Sequence, residues 1–192
     1  MLKQFRAKGQ IIRNSHAGFL LLWTGATAIG YAVGGLISGE VARTVGGGWG
    51  LFLSFAVISA VLGLMQWLVF STKIRGIGWF WATCLGGTLG GSFSSWASFQ
   101  IAITYGDAVD LLVIYGCLRG LTTGISQCLI LRRCHKFADW WIVASTVSWY
   151  VSILIGSLLM DKLGHFLILL VGTIYGVLTG SALHLILGHR RQ

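Results

Sequence analysis

A guanidinium stands inside an uncharged stretch of chain. Arg119 lies in LLVIYGCLRGLTTGISQCLIL, residues 111–131, about the ~20 residues that carry a helix across the hydrocarbon core of a bilayer. At ~1.5 Å per residue it sits about 12 Å inside the edge marked by Leu111. Thr122, Thr123 and Ser126 follow at helical spacing and share its face. A polar face at this depth is expected to look into protein or water, because an uncompensated intramembrane arginine costs several kcal/mol unless water, carbonyl groups or an anion meet it. The chemistry available to such a face is to bind or pass an anionic group. Arg119 would be the selectivity residue, and Tyr175, Thr122, Thr123, Ser126, Gln66 and Gln127 would line the path. Two other uses of the arginine stand beside this one: its stem can snorkel toward the outer surface, or its charge can fix helix register in a protein without a pore.

Other chemistry has little support. There is no HExxH, no P-loop, no nucleophile with an evident base and no pair of intramembrane carboxylates, so the chain reads as a non-enzyme. Asp110 is nine residues from Arg119, ~13 Å along the helix and too far for a direct pair. Cys84, Cys117, Cys128 and Cys134 form no CxxC and read as reduced apolar filler rather than a disulfide or metal site. Gln66, Gln127 and His184 could ligate a metal-centred pigment, but interhelical hydrogen bonding is the commoner use of such groups, and no cofactor or metal is expected.

The elements that must position these residues follow from the charge pattern. The 192 residues are 55% hydrophobic and 10% charged, a membrane composition. Uncharged runs at Asn14 to Gly39, Thr44 to Thr72, Gly76 to Gly106, Leu111 to Leu131, Trp140 to Met160 and Leu163 to His189 predict six transmembrane helices in a single domain, residues 1–192. If the helices alternate, Lys3, Arg6, Lys8, Arg13, Lys73, Arg75, Arg132, Arg133, Lys136, Arg190 and Arg191 fall on one side. Arg43 and Lys162 fall on the other with Glu40, Asp107, Asp110 and Asp161. That asymmetry predicts both termini in the cytoplasm, with helix 1 a retained span rather than a cleaved signal. The basic loops should attract anionic lipid; the remaining partner expectation is a homo-oligomer or another membrane-complex subunit, with no nucleic acid.

The chain also repeats weakly. WTGATAIGYAVGG from Trp23 aligns with WFWATCLGGTLGG from Trp79, and a further shift of 61 puts Trp79 over Trp140. AVLGLMQWLVF (60–70) aligns with LTTGISQCLIL (121–131), Gln66 over Gln127, and GVLTGSALHLIL (176–187) aligns with the same segment one residue earlier, with Leu183 at the third equivalent of the glutamines. This predicts three parallel helical hairpins, near 14–72, 76–131 and 138–189, in a pseudo-threefold bundle. Gly30/Gly34, Gly86/Gly90, Gly116/Gly120/Gly124 and Gly172/Gly176/Gly180 recur every fourth residue and predict smooth stripes where helix backbones approach closely. No proline is present, so kinked or broken helices have little support. Trp49, Trp79, Trp81, Trp140 and Trp141 fall near span ends and are expected to anchor the interface.

The GxxxGxxQxLxL pattern followed by basic residues and WW, in GLTTGISQCLILRRCHKFADWW, resembles repeats in small hypothetical membrane proteins of cyanobacteria and related bacteria. The resemblance implies a six-span bundle and a cyanobacterial-type source, hence a bacterial inner or thylakoid membrane, and transfers no activity. The favoured expectation is a channel or transporter for a small anionic solute, because it gives Arg119 a specific role; the alternative is a non-catalytic scaffold whose glycine faces dock other helices.

Overall fold

The computed structural model of the protein describes residues 16–71, 73, 76–106, 111–164 and 166–188. Its regular elements there are six helices: α1 (His16–Val45), α2 (Gly47–Phe70), α3 (Gly78–Tyr105), α4 (Leu111–Leu131), α5 (Trp140–Leu163) and α6 (Phe166–Gly188). Four of them, α1, α2, α5 and α6, are long and apolar enough to cross a membrane. α3 and α4 have comparable length, 28 and 21 residues. The expected basic and acidic positions Lys3, Arg6, Lys8, Arg13, Arg75, Asp107, Asp110, Arg190 and Arg191 lie outside the described residues, as do Asn14, Thr72 and His189 at the ends of the expected spans.

Helix ends follow local chemistry. α1 runs on to Val45 rather than stopping at Gly39, since nothing between Gly39 and Gly46 breaks a helix. Glu40 and Arg43 therefore lie on its last turns and pair at 2.5 Å instead of occupying a loop. The turn into α2 is Gly46, with φ of 68° continuing to 57° at Gly47, a left-handed conformation that glycine adopts without a Cβ penalty. α5 likewise extends through Asp161 and Lys162.

The helices form a closed ring in chain order. Each packs against the helix before and after it, α6 closes on α1, and no helix backbone packs against one across the ring among the described residues. Glycines set most seams. A Cβ added at Gly30 or Gly34 on α1 would stand 3.1 Å from the Cα of Leu62 or Ile58 on α2. One at Gly86 on α3 would stand 3.1 Å from Thr123 Cα on α4, and one at Gly90 would meet Thr122. Gly116, Gly120 and Gly124 put Tyr150, Thr146 and Ile142 Cα of α5 at 3.2, 2.6 and 3.1 Å, and Gly172 and Gly176 put Ala28 and Thr24 Cα of α1 at 3.1 and 2.9 Å, while Gly180 faces the Trp23 ring. Contact between backbones supplies the van der Waals packing that associates helices where lipid offers no hydrophobic drive.

Side chains from α1, α3 and α5 meet on the axis. Trp23, Trp79 and Trp141 are buried there, with Trp79 edge-to-face against the other two at ring-centroid distances of 5.8 and 5.6 Å. Trp79 and Trp141 are therefore core residues and not interface anchors, whereas Trp49, Trp81 and Trp140 are exposed as expected. Of the adjacent pair Trp140 and Trp141, it is Trp141 that is buried against Trp79, whereas the shift of 61 aligns Trp79 with the exposed Trp140.

Candidate functional site

Buried polar groups lie in two layers. The first surrounds the tryptophans. The Gln66 carboxamide on α2 donates to Thr27 Oγ1 on α1 at 3.3 Å and accepts from Trp79 Nε1 on α3 at 3.3 Å. Gln127 on α4 makes the corresponding contacts one hairpin later: it donates to Thr83 Oγ1 on α3 at 2.8 Å and accepts from Trp141 Nε1 on α5 at 2.9 Å. In the third sector Leu183 stands where the glutamines stand, and Trp23 Nε1 donates instead to Thr179 Oγ1 on α6 at 3.0 Å. Phe70, Leu131 and Leu183 pack around this layer and are fully buried. The layer is a filled cross-section in which each indole N–H is satisfied.

The second layer holds Arg119. Its residue is 3% exposed to a water-sized sphere. The guanidinium carbon lies 4.7 Å from the Trp149 ring of α5, 5.0 Å from the Phe55 ring of α2 and 5.9 Å from the Tyr115 ring of its own helix. Ring faces attract a cation through their quadrupole, more strongly once water is removed. Nη1 also donates to Tyr115 Oη at 3.1 Å. Gly91 on α3 makes the room, since a Cβ there would collide with Arg119 Nη1 and with the Phe55 ring. No carboxylate joins the cluster among the described residues; Glu40, Asp139 and Asp161 are exposed at helix ends or in a loop. Arg119 Nε, Tyr31 Oη and Trp149 Nε1 make no hydrogen bond of good geometry, but Tyr31 lies within weaker hydrogen-bonding reach of Arg119, and Trp149 of Tyr175. Tyr31 is close enough to the guanidinium to interact electrostatically, and its ring packs on Trp149 at 5.6 Å and on Tyr175 at 6.3 Å.

The residues expected to line one path are thus distributed. Arg119 and Tyr175 are joined through Trp149, which packs on both. Thr123 is buried beside them on α4 with Oγ1 unpartnered. Thr122 and Ser126 lie in the α3–α4 seam, where Thr122 donates to the carbonyls of Leu118 and Arg119, and Ser126 donates to Ala82 O at 2.9 Å and Thr123 O at 2.8 Å. Gln66 and Gln127 belong to the tryptophan layer, both ends of each carboxamide engaged. Sequence reasoning missed Thr27, Thr83 and the caps Phe55 and Trp149. A threonine four residues after both Trp23 and Trp79 was the available signal for the first two. His184 lies at a groove between α1 and α6, and no group of three or more metal-ligating side chains occurs among the described residues.

Fold and site together define an all-α protein with membrane-length apolar helices around a buried aromatic and cationic core. No family model, curated protein or solved structure matches the chain.

Proposed function

We propose that this protein is a six-span, non-catalytic membrane scaffold: a closed ring whose interior is packed for rigidity and whose helix faces meet other membrane components. One observation carries the reading: the axis is occupied by the protein's own rings, with Trp23, Trp79, Trp141 and Tyr175 essentially inaccessible and Arg119 3% exposed. A conducting path past Arg119 would need water around the guanidinium. In this reading Arg119 selects helix register, since only the sector with Gly91 and Phe55 admits it. The hairpin organisation is supported by Trp23, Trp79 and Trp141, each followed four residues later by a small hydroxyl residue at Thr27, Thr83 and Ser145. α3 and α4 take places in the ring equivalent to those of the four membrane-length helices, which supports their spanning too.

The second reading, transport of a small anion, is favoured by a different observation: a buried cation with no carboxylate beside it among the described residues. Flux measurement separates the two. Proteoliposomes are expected to pass chloride and nitrate no faster than empty vesicles. Arg119→Met is expected to fold with stability within about 1 kcal/mol of the parent, because an unbranched apolar chain replaces a buried charge. Anion flux that Arg119→Met removes would overturn the scaffold and establish transport.

Sidedness has a built-in reporter. Cys134 is exposed in the α4–α5 loop while Cys128 is buried. With that loop cytoplasmic, as the basic residues favour, a membrane-impermeant maleimide should label Cys134 only after the cells are permeabilised. Labelling of intact cells refutes the orientation.

A further inference from the structure

The α5–α6 seam differs from the rest of the ring. Its glycine, Gly156, meets only side chains, Val171 Cγ2 nearest at 2.8 Å, whereas each of the other seams has at least one glycine against backbone. Toward the 132–139 loop the seam opens into a groove of about 580 Å³ lined by Phe137, Trp140, Ala144, Val147, Ala182 and Leu185 among other apolar residues. The lining follows α5 from Trp140 to Val147, ~10 Å of helix. Leu185 forms a shared wall with a second hollow of about 310 Å³ between α1 and α6.

The loop end of this groove is cationic. Lys136 Nζ lies 5.9 Å from the centroid of the Phe137 ring, itself part of the groove wall. Arg133 is exposed in the same loop. Arg132 is taken up by Asp139 at 2.5 Å, which raises its pKa further. Arg133 and Lys136 have no carboxylate within ion-pair distance among the described residues. An apolar slot running along the membrane-facing side of two helices, with a cation and an exposed indole at one end, matches an amphiphile that carries a negative headgroup. A partner helix fits less well, because close helix contact calls for a stripe of small residues, whereas Ala144 and Ala182 are flanked in the groove by Phe137, Trp140, Val143, Val147 and Leu185.

We propose that the α5–α6 groove is a binding site for an anionic phospholipid, one acyl chain lying along Trp140 to Val147 and the headgroup phosphate held at Lys136. The site does not depend on whether the ring interior conducts, so the flux result leaves it intact.

Native mass spectrometry of the full chain in detergent, with added phosphatidylglycerol or phosphatidylcholine of identical chains, tests it. Phosphatidylglycerol is expected to be retained over phosphatidylcholine on the order of fivefold for the one cation engaged. Lys136→Glu should abolish that preference, and Ala144→Trp should reduce retention of both lipids. Val147→Trp serves as a second blocking variant, at a position exposed to lipid where folding is insensitive. Equal retention of the two lipids by the parent, or undiminished phosphatidylglycerol retention in both blocked variants, overturns the proposal. So does a dimer that Ala144→Trp dissociates, since the groove would then belong to a second copy of the chain.

Discussion

Gly120→Val is expected to destabilise the ring strongly. A Cβ at position 120 would stand 2.6 Å from Thr146 Cα, 2.9 Å from Ser145 O and 3.0 Å from Trp149 Cβ. The first two are backbone atoms, so no rotamer change relieves the overlap, and α4 and α5 must move apart. That motion draws Trp149 away from the Arg119 guanidinium, 4.7 Å from its ring, and opens the backbone contacts at Gly116 and Gly124 on the same stripe. Overpacking costs ~1–3 kcal/mol when side chains can adjust; with backbone as the obstacle we expect about 3 kcal/mol or more. For a chain of this size that is a fall in Tm on the order of 10 °C, read by circular dichroism during thermal unfolding in detergent. Gly25→Val is the control, since nothing lies within 4 Å of a Cβ there, and it should change stability by less than about 0.5 kcal/mol. Equal losses in the two variants would show that the stripe does not set the α4–α5 distance.

The difference between what the chain discloses and what only the folded ring discloses follows from how many helices a feature involves. A glycine stripe is written on one helix at a fixed period, so Gly116, Gly120 and Gly124 can be recognised without knowing what they touch. The depth of Arg119 is likewise a property of one segment, and the match of Gln66 with Gln127 can be read by aligning residues 60–70 with 121–131. The partners are different: the Arg119 cap comes from Phe55 on α2 and Trp149 on α5, and no spacing within α4 announces either ring. Trp79 and Trp141 lie in the core rather than at the interface for a related reason. Anchoring at the interface is the commoner use of such residues, and adjacent residues on a helix point about 100° apart, so Trp140 and Trp141 differ in environment although they differ hardly at all in depth. The helix ends were legible where glycine or a charge cluster marks them, and misread after Gly39, where one glycine and an ion pair do not stop a helix.

The unequal third sector of the tryptophan layer allows a prediction about how its hydrogen bonds are shared. Gln127→Leu would recreate on α4 what Leu183 already does on α6, filling the volume while removing the acceptor of Trp141 Nε1. A buried donor left without a partner costs about 1–3 kcal/mol. On α6, however, the residue four before Leu183 is Thr179, and that hydroxyl accepts from Trp23 at 3.0 Å. Four before Gln127 is Thr123, buried and with Oγ1 unpartnered. The Trp141 indole is therefore expected to turn to Thr123, so that Gln127→Leu costs only about 1 kcal/mol. Thr123→Val, which removes a hydroxyl that serves no partner in the parent, should cost under about 0.5 kcal/mol. Together the two changes leave Trp141 Nε1 without an acceptor, and the double variant should lose about 3 kcal/mol, well beyond the sum of the single losses. Unfolding measurements on the four proteins give the coupling directly. An additive result would mean that Trp141 does not reach Thr123, and that α6 and α4 are not interchangeable in how they receive the neighbouring tryptophan.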